Sequence, residues 1–278
     1  MTLTVTLLHP GQMGAAVGAQ AVAAGHRVLW VPHGRSQETR RRAQEAGLTA
    51  VPSLRAALDA SDIAISVCPP GAADQIACDV NELRFTGLYL DANAISPQRV
   101  RRIADGMQAP VLDGAIIGPP PCDKKTARLY VSGAPQAAGQ IQELFKGTAV
   151  EVREAGRDLG SASALKMAFA SFQKSARTLA AVAHALADTH GVSDLLTEEA
   201  KTMPSAILSD PGYLPSVAAR AWRWRDEMGD IAATLRAAAL PTGIADATAA
   251  VLHLWEDDED KRDMPVREVL ARLREQPR

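Results

Sequence analysis

The segment that most limits what this chain can become runs from Leu3 to Val31. An apolar stretch, Leu3 to Leu8, leads into the turn His9-Pro10-Gly11-Gln12-Met13-Gly14. A small-residue helix follows, closing at Gly25, and then a second apolar stretch from Arg27 to Val31. Strand, glycine turn, helix and strand in that order make a βαβ unit, whose turn sits where the pyrophosphate of a dinucleotide would meet the helix N-terminus. Of the G-x-G-x-x-G spacing, Gly11 and Gly14 are present and His9 stands at the first position. Gly11 lets backbone approach a phosphate, and Gly14 lets the helix pack closely on the strand.

Downstream, helical and extended segments alternate. Arg35 to Gly47 is polar and helical, Ser53 caps Leu54 to Ala60, and Asp62 to Cys68 is a short apolar run stopped by Pro69-Pro70-Gly71. A run of that length between turn signals suits a parallel strand buried on both faces. Ala72 to Leu83 is a helix and Gly87 to Asp91 a strand; Ser96-Pro97 then gives N-cap and first-turn proline to a helix ending near Met107. Val111 to Ala115, Arg128 to Ser132 and Ala149 to Val152 read as strands, with a helix from Pro135 to Lys146. From Gly160 the pattern is helical only. Leu165, Phe169, Phe172, Ala176, Leu179, Ala183 and Leu186 share one stripe that Gly191 ends, which predicts a connecting helix of about thirty residues. More helices are expected around Leu195 to Leu208, Leu214 to Ala239, Gly243 to Leu254 and Pro265 to Glu275. The expected architecture is an α/β Rossmann-type N-terminal domain with a mostly parallel sheet, residues 1–155, joined by a long helix to an all-α C-terminal domain, residues 156–278.

Composition narrows the partners. In 278 residues, 47% apolar, 30 basic side chains face 32 acidic ones for a net charge of −2. That balance gives no basic excess with which to hold nucleic acid or an anionic membrane, so a small-molecule substrate is expected. Cys68, Cys78 and Cys122 have neither disulfide nor zinc spacing, and Glu256 to Asp260 reads as a solvated turn, so no metal is expected. His184 and His190 lack the partners of a hydrolase triad. Without a leader-like N-terminus or a membrane-length apolar run, the expected location is the cytoplasm.

The second strand ends Val31-Pro32-His33-Gly34-Arg35-Ser36, with no carboxylate to chelate ribose hydroxyls. Arg35 and Ser36, with His33 beside them, instead offer a 2′-phosphate charge-assisted pairing, so NADP(H) is expected over NAD(H). Arg40, Arg41 and Arg42 read as a solvated helix face. In the long helix, Lys166 lies among Ala162, Ser163, Ala164, Leu165, Met167, Ala168 and Phe169, a tract otherwise free of charge. Partial desolvation there would bring the amine toward neutrality and let it exchange a proton with a hydroxyl or carbonyl. Lys174 and Gln173 follow two turns later, to contact substrate or face solvent, and Tyr213, Trp222, Trp224 and Trp255 could line a pocket or fill core.

The runs Gly11-Gln12-Met13-Gly14, Ala24-Gly25-His26-Arg27-Val28 and Asp62 to Pro70 together resemble the β-hydroxyacid dehydrogenase superfamily, which includes 6-phosphogluconate and 3-hydroxyisobutyrate dehydrogenases and, more distantly, imine reductases. Residues Ala221 to Leu254 are most similar to a poorly characterised branch with a 6-phosphogluconate-dehydrogenase-like helical domain. The resemblance implies NAD(P)-dependent interconversion of a hydroxy acid and its carbonyl, in a homodimer joined through the helical domains. It implies that Cys68-Pro69-Pro70 lies along the cofactor and that Asn93, in Asp91-Ala92-Asn93-Ala94-Ile95-Ser96-Pro97, lies near nicotinamide and substrate as a catalytic residue that orients them. It also implies that Lys166, six residues after Gly160, is the catalytic lysine. Two departures alter the substrate expectation. Ala170 stands where the family has a substrate-holding Asn, and Ile117-Gly118-Pro119 stands at its Ser-Gly-Gly substrate loop. A larger or less polar carbonyl or alcohol fits these changes better than a small acid. An imine or ketone reductase, or a non-catalytic dinucleotide-binding sensor, is the alternative.

Overall fold

The computed structural model describes residues 2–203, 207 and 210–274. They fall into two compact units, Met1–Lys166 and Met167–Arg278. The first holds β1 (Thr4–Leu7), α1 (Gln12–Ala23), β2 (Arg27–Trp30), α2 (Gln37–Glu45), β3 (Thr49–Ala50), α3 (Leu54–Asp59), β4 (Ile63–Ser66), α4 (Ala73–Glu82), β5 (Leu88–Asp91) and α5 (Pro97–Gly106). It continues through β6 (Val111–Ile117), β7 (Ala127–Ser132), α6 (Pro135–Leu144) and β8 (Val150–Gly156) to the start of α7 (Ser161–Thr189).

The strands form one sheet in the order β3-β2-β1-β4-β5-β6-β7-β8, parallel except where β6 meets β7. Every residue of β4 and β5 is buried, which explains their apolar runs, each ending in one buried polar residue, Ser66 or Asp91. Side-chain alternation assigns the two faces: Ile63, Ile65, Leu88 and Leu90 join a core with Val5, Leu7 and Val17, while Ala64 and Tyr89 join another with Ala77, Val80 and Val100. Strand order reverses between β1 and β4, and crevices at such switch points are where doubly wound sheets take ligands.

Local chemistry sets most boundaries. Ser36 Oγ accepts the Thr39 amide at 3.2 Å and Ser53 Oγ accepts that of Ala56 at 3.1 Å, so α2 opens after Ser36 rather than at Arg35. Ser96 occupies the N-cap of α5, but its side chain makes no capping bond there and Pro97 starts the helix. The two-residue β3 was not anticipated, being too short to carry a period. β6 extends to Ile117, and β8 runs to Gly156, past the expected domain limit at 155.

The second unit carries the rest of α7, then α8 (Ser193–Ala200), α9 (Leu214–Ala218), α10 (Ala221–Ala237), α11 (Gly243–His253) and α12 (Val266–Arg272). The expected helix from Leu214 to Ala239 is two, broken around Arg220. Leu208 and Glu275, expected helix ends, lie outside the described residues, as does the side chain of Leu186. α7 has 29 residues and Gly191 follows it at φ +69°. Its apolar stripe faces outward in the single chain: Phe172 is 72% exposed and Leu179 71%, while Ala162, Met167, Ala170 and Ala181 are buried. No helix among the described residues is long and apolar enough to cross a membrane.

Candidate functional site

The glycine turn joins β1 to α1 with Gly11 at the N-cap in extended conformation, its amide bonded to the His9 carbonyl at 2.9 Å. A Cβ on Gly14 would fall 2.3 Å from that same carbonyl oxygen, closer than any side chain can lie. On Gly11 a Cβ would meet only the edge of the His9 ring, at 3.3 Å. Pro10 is buried, Gln12 is exposed, and Met13 packs into the sheet core, so at Met13 backbone rather than side chain faces any ligand. No side chain caps α1. Its leading amides therefore suit an anion, and Gly14 is the close-packing glycine that a dinucleotide turn requires.

Beyond β2, His33 is exposed and Ser36 is occupied as the α2 cap. Arg35 reaches back over the turn. Its Nη2 donates to the Leu8 carbonyl at 3.0 Å and its Nη1 meets His9 Nδ1 at 2.6 Å. A guanidinium only donates, so Nδ1 accepts. Burial, then Arg35 and Arg42, push the His9 imidazole down to about 4, which keeps it neutral and able to accept. Arg35 and His33 line a cavity of about 420 Å³ with Thr6, Leu8, Leu54 and Asp79. Arg41 and Arg42 pair with Glu38 on the outer face of α2.

The loops after β4 and β5 are tied together by Asn93. This side chain is 2% exposed; its Oδ1 accepts the Cys68 amide at 2.6 Å and its Nδ2 donates to Ser66 Oγ at 2.9 Å. Pro70 opens a short turn whose carbonyl accepts from Arg99 Nη2 at 2.8 Å. The Cys68 thiol is pushed up to about 11, chiefly by burial, so it is no nucleophile. Asp91 is fully buried with Oδ2 unpartnered; burial raises its carboxyl to about 7 against the pull of the Asn93 amide on Oδ1.

Next to Asp91 in the sheet, Asp113 fastens the first turn of α7. It accepts from the Ser163 amide at 3.0 Å, Ser163 Oγ at 2.6 Å and Ser132 Oγ at 2.8 Å. A carboxylate against helix N-terminal amides is favoured by the helix dipole. One turn on, half-buried Lys166 donates from Nζ to the Ile116 carbonyl at 2.8 Å. The lysine is thus brought to the end of β6, next to Ile117-Gly118-Pro119. Ile117 is not a loop residue as expected: it pairs with Arg128 across β6 and β7 and is 5% exposed, so Gly118, at φ +130°, and Pro119 begin the exposed segment.

Lys174 is placed differently from its expected substrate role. In the helical unit it is 4% exposed, ion-paired with Glu227, and 5.4 Å above the Trp224 ring. Burial lowers its pKa and Glu227 opposes that fall. The pairing spans 53 positions, and no spacing rule announces it. The His9–Arg35 contact and the role of Asp113 were likewise unforeseen, although His9 at a glycine position was a visible signal. No cluster of three or more His, Cys, Asp or Glu among the described residues could hold a metal.

Solved structures share this fold. A 3-hydroxyisobutyrate dehydrogenase from Mycobacterium tuberculosis superposes with a TM-score of 0.75 over 99% of this chain and 100% of that one, at 19% identity. A conserved protein of unknown function, MTH1747, described as structurally similar to 3-hydroxyacid dehydrogenases, is 26% identical and matches 92% of this chain and 98% of its own at a TM-score of 0.66. The chain has the fold of the β-hydroxyacid dehydrogenase superfamily. Imine reductases share that fold: the enzyme from Myxococcus stipitatus, solved with NAD+, aligns over 99% of this chain and 100% of its own with a TM-score of 0.57 and 19% identity. Residues 187–255, within the helical unit of this superfamily fold, match the family described as a domain of unknown function, DUF1932. A curated relative, an uncharacterised 28.5 kDa protein from Methanothermus fervidus, is 30% identical over 166 residues, or 59% of this chain and 63% of that protein's length.

Proposed function

We propose that the chain is an NADP(H)-dependent oxidoreductase moving hydride between nicotinamide and a hydroxy or carbonyl substrate, with Lys166 as proton donor and acceptor. The observation that carries this reading is the turn at the sheet's switch point, where Gly14 leaves no room for a side chain and a 420 Å³ cavity opens under Arg35. Those features fit a dinucleotide: backbone of Pro10, Gly11, Gln12, Met13 and Gly14 for the diphosphate, and His33, Arg35 and Ser36 for the 2′-phosphate end. Cys68, Pro69, Pro70 and Asn93 would border the nicotinamide. When bound, the nicotinamide supplies or takes the hydride.

Lys166, as ammonium, gives a proton to the nascent alkoxide in the reducing direction; as amine it takes the proton back. The Ile116 carbonyl holds its nitrogen at 2.8 Å and aims it. Ile117, Gly118 and Pro119 would shape the substrate mouth without a serine hydroxyl, and Ala170 offers no hydrogen bond, which favours a larger, less polar carbonyl or alcohol. The same losses support the second reading, an imine or ketone reductase; a sensor that binds dinucleotide without turnover is the third. The exposed Phe172 and Leu179 support a homodimer through the helical domain, residues 156–278, with residues 1–155 as the cofactor domain.

The test is a turnover screen of hydroxy acids, ketones and imines with NADPH and NADH, repeated on Lys166→Ala. Undiminished turnover in that variant removes the lysine from the mechanism. Dinucleotide binding without turnover of any substrate leaves only the sensor.

A further inference from the structure

Three half-buried arginines of the helical unit have no carboxylate partner among the described residues. Arg177 donates from Nη1 to the Gln173 carbonyl at 3.2 Å and lies 5.7 Å over the Tyr213 ring. Arg220 donates from Nε to the Ser216 carbonyl at 2.7 Å, bonds Ser216 Oγ, and lies 5.2 Å over Trp224. Arg223 makes no hydrogen bond or ion pair to a described residue, and its Nε is buried without a partner.

Arg220 is the N-cap of α10 and Arg223 follows three positions on, one turn away, so their like charges work against one another. Burial first, then Arg223, Arg262 and Arg177, bring Arg220 down to about 10. Nearby acids are already committed: Glu227 pairs with Lys174, and Asp260 faces Arg262 at 3.6 Å. Asp210, whose carboxylate acts on Tyr213, accepts the Gly212 amide at 2.9 Å. Half-buried like charges without a counter-ion are costly, and guanidinium forks are matched to planar or tetrahedral oxyanions. Trp224 and Tyr213 lie against two of the guanidinium groups, which reduces the rotamer freedom lost when an anion is gripped.

We propose that Arg177, Arg220 and Arg223 form a binding site for a small oxyanion, a carboxylate or a phosphate monoester, with Arg223 supplying uncommitted donors. The inference rests on these side chains alone and does not depend on the dinucleotide reading.

The full chain is titrated with inorganic phosphate and, separately, with malonate, each against potassium chloride at matched ionic strength, and the melting midpoint is followed. A saturable rise beyond the chloride control is expected. Response to phosphate only assigns a phosphate ligand, to malonate only a carboxylate, and to both a shared oxyanion site. Arg223→Gln should raise the apparent Kd about tenfold, the worth of one charge-assisted hydrogen bond. Arg177→Gln serves as a second variant should Arg223→Gln fold poorly, and Arg153→Gln, an exposed arginine elsewhere, should leave the response intact. No rise beyond chloride, or a wild-type response from both site variants, overturns the proposal. If neither anion acts but Arg223→Gln changes the sedimentation coefficient, the cluster receives acids of a second copy and the proposal is likewise overturned.

Discussion

Arg35 is braced by His9, guanidinium Nη1 to imidazole Nδ1 at 2.6 Å, across a turn where a glycine would have provided no brace. If the brace aims Arg35 at a 2′-phosphate, Arg35→Ala should weaken NADPH by about tenfold or more and NADH by no more than about twofold. His9→Gly restores the glycine spacing yet should lower the same NADPH-to-NADH preference. Fluorescence titration of both coenzymes with both variants measures it; equal losses for the two coenzymes would defeat the 2′-phosphate assignment.

Removing the Lys166 amine should cost turnover while sparing coenzyme affinity. A general acid–base group contributes roughly 10²- to 10⁴-fold, so kcat of Lys166→Met should fall within that range. The dissociation constant for NADPH should stay within about twofold. Stopped-flow hydride transfer separates the two quantities.

Asp91 gives the fold a specific dependence on pH. Its carboxyl sits near 7 in the folded chain against an ordinary 3.8, so the folded state binds more protons between those values. Stability from this group is complete below about 4, is lost as pH rises through 7, and stays lost above that. Asp91→Asn removes the titration, so the stability difference between variant and wild type should grow in favour of the variant from pH 5 to pH 8, by on the order of a few kcal/mol. Urea melts at the two pH values test this; a difference constant with pH would show that Asp91 ionises normally.

Gly14→Ala forces its new methyl carbon toward a backbone oxygen at 2.3 Å, so α1 must lift from β1. A loss of roughly 1–3 kcal/mol in unfolding free energy is expected from such overpacking, together with loss of dinucleotide binding. Gly25→Ala is a poor control, since its φ of +84° is strained by any side chain; Gly139→Ala, inside α6 with nothing within 4 Å, is the better one and should stabilise by about 0.5–1 kcal/mol while leaving binding intact.

The outward stripe of α7 should hold copies together. Phe172→Glu with Leu179→Glu removes two large apolar contacts, each worth about 1.5–3 kcal/mol when fully buried, so a dimer should weaken by about a hundredfold or more. Sedimentation velocity across protein concentrations reads the change. A monomeric wild type would dispose of the dimer.

Much of the first unit was legible because its elements are bounded by local chemistry. The glycine turn, the Ser53 cap, the Pro69-Pro70 stop and the short apolar runs of β4 and β5 each act within a few residues. Legibility failed where the deciding partner lay far along the chain. Lys174 looked available until Glu227 claimed it, and Ile117 looked like a loop until Arg128 extended the strand. The α7 stripe had the right period, but period alone does not say which side faces inward; in the single chain the alanine-rich side does. Of the candidate site, residue positions were readable but side-chain occupation was not: Asn93 spends both ends of its amide on Ser66 and Cys68.

The carboxylate of Asp113 does more than finish a helix. By holding Ser163 at two atoms and sharing Ser132 with the Ala162 amide, it welds the first turn of α7 to β6 and β7. Lys166 rises from the very next turn, and its ammonium is hooked onto β6 as well. Mechanically, then, the amine is a fixture of the sheet: the opening of α7 cannot twist about its own axis without tearing those bonds, and Lys166 is kept in register with the strands.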